Sequence, residues 1–205
     1  MSPIQFTALS RILLIALVGL LPMSTSAGPK KSETELIEML GSKDPQTVID
    51  ALDRLPNLYP ASTNAIQQIR KLLGTKVNIA GFPPNVISRR AARALGNYHA
   101  TLDWDDLKVF LGFIRSPDVN EVMDGLKALR GLKEPREIEE KLTAEVVLLL
   151  NDKELHVVRD AIRTLGALGN KATVPAIEPF LKHQRQDVKR DAKEAIAVLE
   201  KKARS

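Results

Sequence analysis

The chain has 205 residues, 44% hydrophobic and only 4% aromatic, which is enough apolar material for one core and points away from a disordered or β-rich chain. Cysteine is absent, which excludes disulfides, thiolate nucleophiles, zinc–thiolate sites and lipid-modified cysteines. The net charge of +5 comes from 30 basic and 25 acidic residues mixed along the chain, whereas a nucleic-acid binder usually gathers its positive charge into a stripe or tail.

Chain order begins with Arg11, the apolar run Ile12 to Met23, then Ser24-Thr25-Ser26-Ala27 and Gly28-Pro29-Lys30-Lys31. This is the layout of a secretory signal, with small residues at Thr25 and Ala27 for a signal peptidase. A helix over those twelve apolar residues rises only about 18 Å against roughly 30 Å of hydrocarbon, and Pro22 interrupts it, so a permanent span is disfavoured. The expected division is a leader at 1–27, cleaved after Ala27, and a mature domain at 28–205 with a net charge of +4, since Arg11 is the only charge removed. Location in the periplasm or outside the cell follows as an expectation, with membrane contact limited to the leader.

From Ser32 onward one pattern returns: a polar or proline turn, then a helix with a small residue four places before an aliphatic one. The stretch Glu33 to Leu40 reads as a first helix, and Asp44-Pro45 leads to Ala51 and Leu55. Ser62 to Leu73 follows, then Pro84-Asn85 with Ala91 and Leu95; next come Trp104 to Ile114, then Pro117-Asp118 with Gly125 and Leu129. Arg136 to Leu150 precedes Asp152 with Ala161 and Leu165, and Ala172 to His183 precedes Asp187 with Ala192 and Ile196. The small positions lie 40, 34, 36 and 31 residues apart, the period of a helix-pair solenoid with variable loops. A pair of antiparallel helices leaves a broad apolar side that only the next pair covers. A small residue lets the axes approach, and an aliphatic one turn later fills the groove. The expected fold is therefore all-α, an α-solenoid of about five helix pairs.

Val157-Val158-Arg159-Asp160-Ala161-Ile162-Arg163-Thr164-Leu165-Gly166-Ala167-Leu168-Gly169 resembles the second helix of a HEAT repeat, in particular the short kind named after phycobilisome lyases. Arg89 to Gly96 is a second good copy. The copies at Ala51 and Gly125 carry Pro56 and Arg130 where glycine is expected, and the last copy lacks the glycine. The resemblance extends over 32 to 203 and implies protein interaction as the common use of the fold, with the second helix of each pair lining the concave side.

Aligning those helices on the small position gives two rows, Ile49, Arg89, Met123, Arg159, Arg190 and Asp53, Arg93, Lys127, Arg163, Glu194. The basic cluster Arg89, Arg93, Lys127, Arg159 and Arg163 is thus a candidate surface for an acidic protein partner. The resemblance offers another role for the first row, bonding turn residues Asn85, Asp118, Asp152 and Asp187 in an internal ladder; the second row is then the better candidate for function. The loop Gly74 to Pro84 is longer than the other turns within pairs and carries Val77, Ile79 and Phe82, either to cover the flank of the stack or, at Phe82, to meet a partner.

His99, His156 and His183 stand singly, without the paired spacing of a metal site, so neither metal nor cofactor is expected. Asp103, Asp105 and Asp106 around Trp104 suit a helix start better than an acid/base pair. Nucleophile-elbow, phosphate-loop and dinucleotide motifs are missing. The expected function is a non-enzymatic interaction module or scaffold. Two alternatives come with the resemblance, a bilin lyase and a HEAT-like DNA glycosylase; the export signal opposes both.

Overall fold

The computed structural model describes residues 31–133 and 136–203; the leader expected at 1–27 lies outside the described residues. Among them ten α-helices follow in order: α1 (Glu33–Met39), α2 (Pro45–Leu58), α3 (Thr63–Arg70), α4 (Val86–Asn97), α5 (Trp104–Ile114), α6 (Val119–Leu129), α7 (Arg136–Leu148), α8 (Leu155–Leu168), α9 (Val174–Ile177) and α10 (Gln186–Lys202). They form five consecutive pairs within one compact unit. The even-numbered helices pack on one another in succession to make an inner layer, and the odd-numbered helices make the second. This is an α-solenoid.

Side-chain caps start α1, α2, α3, α5 and α6. Ser32 and Glu35 form a capping box on α1, and Asp44 accepts from the backbone N–H groups of Gln46 and Thr47, with Pro45 at the first helical position. Ser62 caps α3 and donates to the Glu33 carboxylate at 2.7 Å, tying the second pair to the first. Asp103 and Asp106 make the capping box of α5, which is the structural use of that acidic cluster.

The small-to-aliphatic pattern is the core. Ala51, Leu55, Ala91, Leu95, Leu129, Ala161, Leu165 and Ala192 are all essentially inaccessible, and Gly125 packs against the Phe113 side chain. The exception is the last aliphatic position. Ile196 is only partly buried and Leu199 takes the inner place, because α10 has a neighbour on one side alone and turns Ala195 and Leu199 towards α8.

Glycine after the aliphatic residue serves close approach. A Cβ at Gly96 would lie 2.5 Å from the Ala128 carbonyl oxygen, and one at Gly166 would lie 2.8 Å from the Ala195 Cα. In the third copy the glycine is displaced by one place to Gly131, which packs on the Gly96 backbone. There the chain also forms a short parallel bridge: Leu102 N–H donates to the Lys133 carbonyl at 3.0 Å and Lys133 N–H to the Ala100 carbonyl at 2.9 Å.

The outer layer departs more from expectation. The stretch 172–183 is not one helix but a four-residue α9 between two short 3-10 segments, since Pro175 and Pro179 each remove a backbone donor. Helix α3 stops at Arg70, and the chain leaves it through Gly74 at φ +76°, a left-handed conformation that suits glycine.

Candidate protein-interaction surface

Arginine–aspartate pairs clamp every step of the inner layer. From α4 back to α2, Arg90 Nη1 donates to both carboxylate oxygens of Asp53 at 2.7 and 2.6 Å. From α4 forward to α6, Arg89 places Nε and Nη2 on Asp124 at 2.8 and 2.5 Å. Arg130 of α6 reaches Asp160 of α8 at 2.9 Å. Between α8 and α10, Arg159 Nε and Arg163 Nη2 share Asp191 at 2.7 and 2.9 Å, and Arg159 Nη1 lies 2.9 Å from Asp187. Asp160 and Asp191 are nearly inaccessible, so these guanidiniums offset the cost of burying the carboxylates.

Electrostatic consequences follow the same geometry. Asp191, hydrogen-bonded to Arg159, raises that guanidinium further above its ordinary value. The Arg185 fork, reinforced by Arg159, holds the Asp187 carboxyl down to about 2. In the outer layer burial pushes the Asp106 carboxyl up, although Arg70 Nε stands 2.9 Å away.

The first row of candidates thus divides. Arg159 does reach the next turn residue, Asp187, whereas Arg89 passes the turn and binds Asp124 within α6. Asp118 spends its carboxylate on capping α6, and Asp152 accepts from the Glu154 N–H at 2.7 Å. Asn85 makes no cap hydrogen bond, Ile49 is buried, Met123 is partly buried, and Arg190 is exposed without a partner among the described residues. Arg130, standing where glycine is expected, is a clamp of the stack rather than a lapse of the repeat.

The second row faces outward, each member being exposed. Asp53 is held by Arg90 and Arg163 by Asp191. Arg93 and Lys127 have no ion-pair or hydrogen-bond partner among the described residues. They occupy equivalent places on successive inner helices, α4 and α6, and so form a bare cationic pair in a layer whose other central arginines are neutralised.

Arg93 borders a groove of about 210 Å³ between α2 and α4, lined by Leu52, Asp53, Asn57, Arg90, Ala94 and Asn97 as well. Asn57 Nδ2 donates to the Asp53 carbonyl at 2.6 Å, while the Asn97 amide has no partner among the described residues. Asn97 was absent from the candidates read from sequence. Its signal was the i, i+4 spacing from Arg93, which sets both on one face of α4.

The long loop divides into a covering part and an exposed ring. Val77 and Ile79 pack on the core, and Val77 N–H donates to the Pro84 carbonyl at 2.7 Å. Phe82 points away and is 41% exposed. Trp104, at the start of α5, is 52% exposed with Lys141 Nζ 6.0 Å from its ring. Among the described residues no group of three histidine or carboxylate side chains is placed to hold a metal, and no helix is long and apolar enough to cross a membrane.

Residues 157–183 match the family model described as PBS lyase HEAT-like repeat, a stretch that spans α8 and the broken helix after it. Among solved structures the chain is similar to the complex of CpcE and CpcF of phycocyanin lyase from Nostoc sp. PCC7120, at 22% identity and TM-score 0.62, over 89% of this chain and 70% of that one. It is also similar to an engineered protein at 19% identity and TM-score 0.59, over 83% and 80% of the two chains. A designed armadillo repeat protein in complex with the peptide (KR)4 aligns at 16% identity and TM-score 0.54, over 80% of each chain. At these identities the likeness is one of fold. Among curated proteins no sequence matches the chain.

Proposed function

We propose that this chain, which is built of HEAT-like repeats, is an exported, non-enzymatic interaction module that binds an acidic segment of a protein partner along its inner helices. The observation that carries this is the bare pair Arg93 and Lys127. At the junctions between inner helices the arginines Arg89, Arg90, Arg130, Arg159 and Arg163 each engage an aspartate of the neighbouring helix. Two cations left open at equivalent repeat positions offer complementary charge to a ligand that crosses the helices. Phe82 supplies an exposed aromatic of the kind enriched in protein interfaces.

Export rests on the Arg11 to Ala27 layout, and a non-enzymatic role on the absence of nucleophile, phosphate-loop and dinucleotide motifs from the sequence. The test is capture of partners from the native cell envelope with the mature chain, beside the double variant Arg93→Glu, Lys127→Glu. A partner retained by the wild type and lost by the variant supports the proposal; equal capture by both removes the cationic pair from it. Mass spectrometry of the full chain after export by its own host is expected to find Gly28 at the N-terminus, and an N-terminus at Met1 would exclude cleavage.

A further inference from the structure

We infer that the groove between α2 and α4 is a subsite for a single carboxylate of the bound chain, with the Arg93 guanidinium and the Asn97 amide as its donors. The inference rests on the binding mode just proposed and assigns it an anchor point. The groove's size is the first support. About 210 Å³ is below the roughly 300–1,000 Å³ of a cofactor or metabolite pocket and matches one side chain or chain end.

Donor inventory is the second. Arg90 is committed to Asp53 and the Asn57 amide to the Asp53 carbonyl, so the only acid of the groove is already neutralised. What remains open is one guanidinium and one carboxamide, four residues apart on the same face of α4. Together they present N–H groups beside an acid already paired with Arg90, which leaves them free for a charge-assisted, forked hydrogen bond to a carboxylate. Leu52 and Ala94 are nearly inaccessible beneath the groove, so its accessible lining is polar and suits a charged group rather than an apolar one. Lys127, one helix further, lacks the fork and the groove, so it attracts charge without selecting a shape.

The ligand carboxylate has two sources, an acidic side chain or a C-terminus, and the probes separate them. Fluorescence anisotropy with the mature chain uses three labelled peptides: hexaglutamate blocked at both ends, hexaglutamine blocked at both ends, and hexaglutamine with a free C-terminus. Side-chain recognition predicts Arg93-dependent binding of the first alone; C-terminal recognition predicts Arg93-dependent binding of the third alone. Arg93→Gln is expected to weaken binding of the competent probe about tenfold, the loss of one charged hydrogen-bonding partner. Asn97→Ala is expected to weaken it severalfold, and Arg93→Lys to restore only part of the loss because the fork is missing. In amide NMR spectra the Asn97 side-chain signals should shift on adding the probe.

Unchanged affinity in Arg93→Gln and Asn97→Ala, with loss in Lys127→Gln, would overturn the subsite while leaving the acidic-partner proposal standing. Failure of every peptide to bind would overturn both. Inorganic phosphate displacing the labelled probe at the same concentration as its unlabelled form would also overturn the inference, since it would show a general anion site rather than one shaped for a carboxylate.

Discussion

The two layers of this solenoid are built to different tolerances. Inner helices α2, α4, α6, α8 and α10 run 11 to 17 residues, approach backbone to backbone at Gly96 and Gly166, and are clamped at every step by arginine and aspartate. Outer helices include the seven-residue α1, the eight-residue α3 and the fragment α9 between prolines. Ion pairing in the outer layer is less uniform: Arg70 meets the buried Asp106, whereas Arg115 of α5 meets Glu145 of α7 with Arg115 more than half accessible. Packing precision is thus concentrated where the candidate binding face lies, and the outer layer supplies cover with fewer constraints. A binding face assembled from separate helices requires this, because the spacing of Arg93 and Lys127 is only as constant as the helix contacts beneath them.

The contrast is open to direct attack, most severely at glycine. Gly96→Val should cost about 3 kcal/mol or more by thermal or urea unfolding, because the new side chain meets backbone that cannot retreat. A cost below about 1 kcal/mol would mean that the inner contact is loose. Asp191→Asn comes next. It strips the shared charge from Arg159 and Arg163 and should cost about 2 kcal/mol, tempered by the partial exposure of both arginines. Glu145→Gln, its outer counterpart, should cost under about 1 kcal/mol. In the opposite direction, Gly112→Ala in α5 should stabilise by roughly 0.5–1 kcal/mol, since a Cβ there meets nothing within 4 Å and the glycine sits inside a helix.

Smaller still is Phe82→Ala, expected within about 0.5–1 kcal/mol of wild type because the ring is 41% exposed. Loss of partner capture by that variant at unchanged melting temperature would mark Phe82 as a contact, and unfolding would return it to the cover. Acid also separates the layers. Asp187 is held down to about 2, so its contribution is fully present above the unfolded carboxylate range and is lost progressively as pH falls from that range through about 2. Asp106 is raised by burial and has the reverse sign: its ionised form costs stability near neutrality, and protonation at falling pH relieves that cost. Carboxyl NMR titration should show the two carboxyls moving apart in this order; coincident midpoints would contradict it.

The inner layer was legible in the sequence because its requirements are local. A small residue, an aliphatic residue four places on and a polar turn before them all fall within a single helix, and α5 is found at the expected Trp104 to Ile114. The broken helix at 172–183 was misread because its apolar rhythm continues through Pro175 and Pro179, which spoil the hydrogen bonds without spoiling the pattern. Site residues were harder. Whether Arg93 or Arg163 is free depends on an aspartate about thirty residues away, presented by the next pair at a reach that no single-helix periodicity encodes. The sequence could align both into one row; only the fold divides a clamp from an open cation.

The direction of the clamps has a consequence for how such a chain gains or loses units. Helix α6 offers an acid backward, Asp124, and a base forward, Arg130; α8 likewise offers Asp160 backward and Arg159 and Arg163 forward. Units of that polarity are interchangeable, since removal of the third pair would set Arg89 of α4 against Asp160 of α8, still opposite in sign. The first junction runs the other way, with Asp53 on α2 and Arg90 on α4. Deleting the second pair would bring Asp53 against Asp124, acid to acid. Duplication and loss are therefore permitted downstream of α4, while the first two pairs form an indivisible leading module whose junction fits no other position in the array.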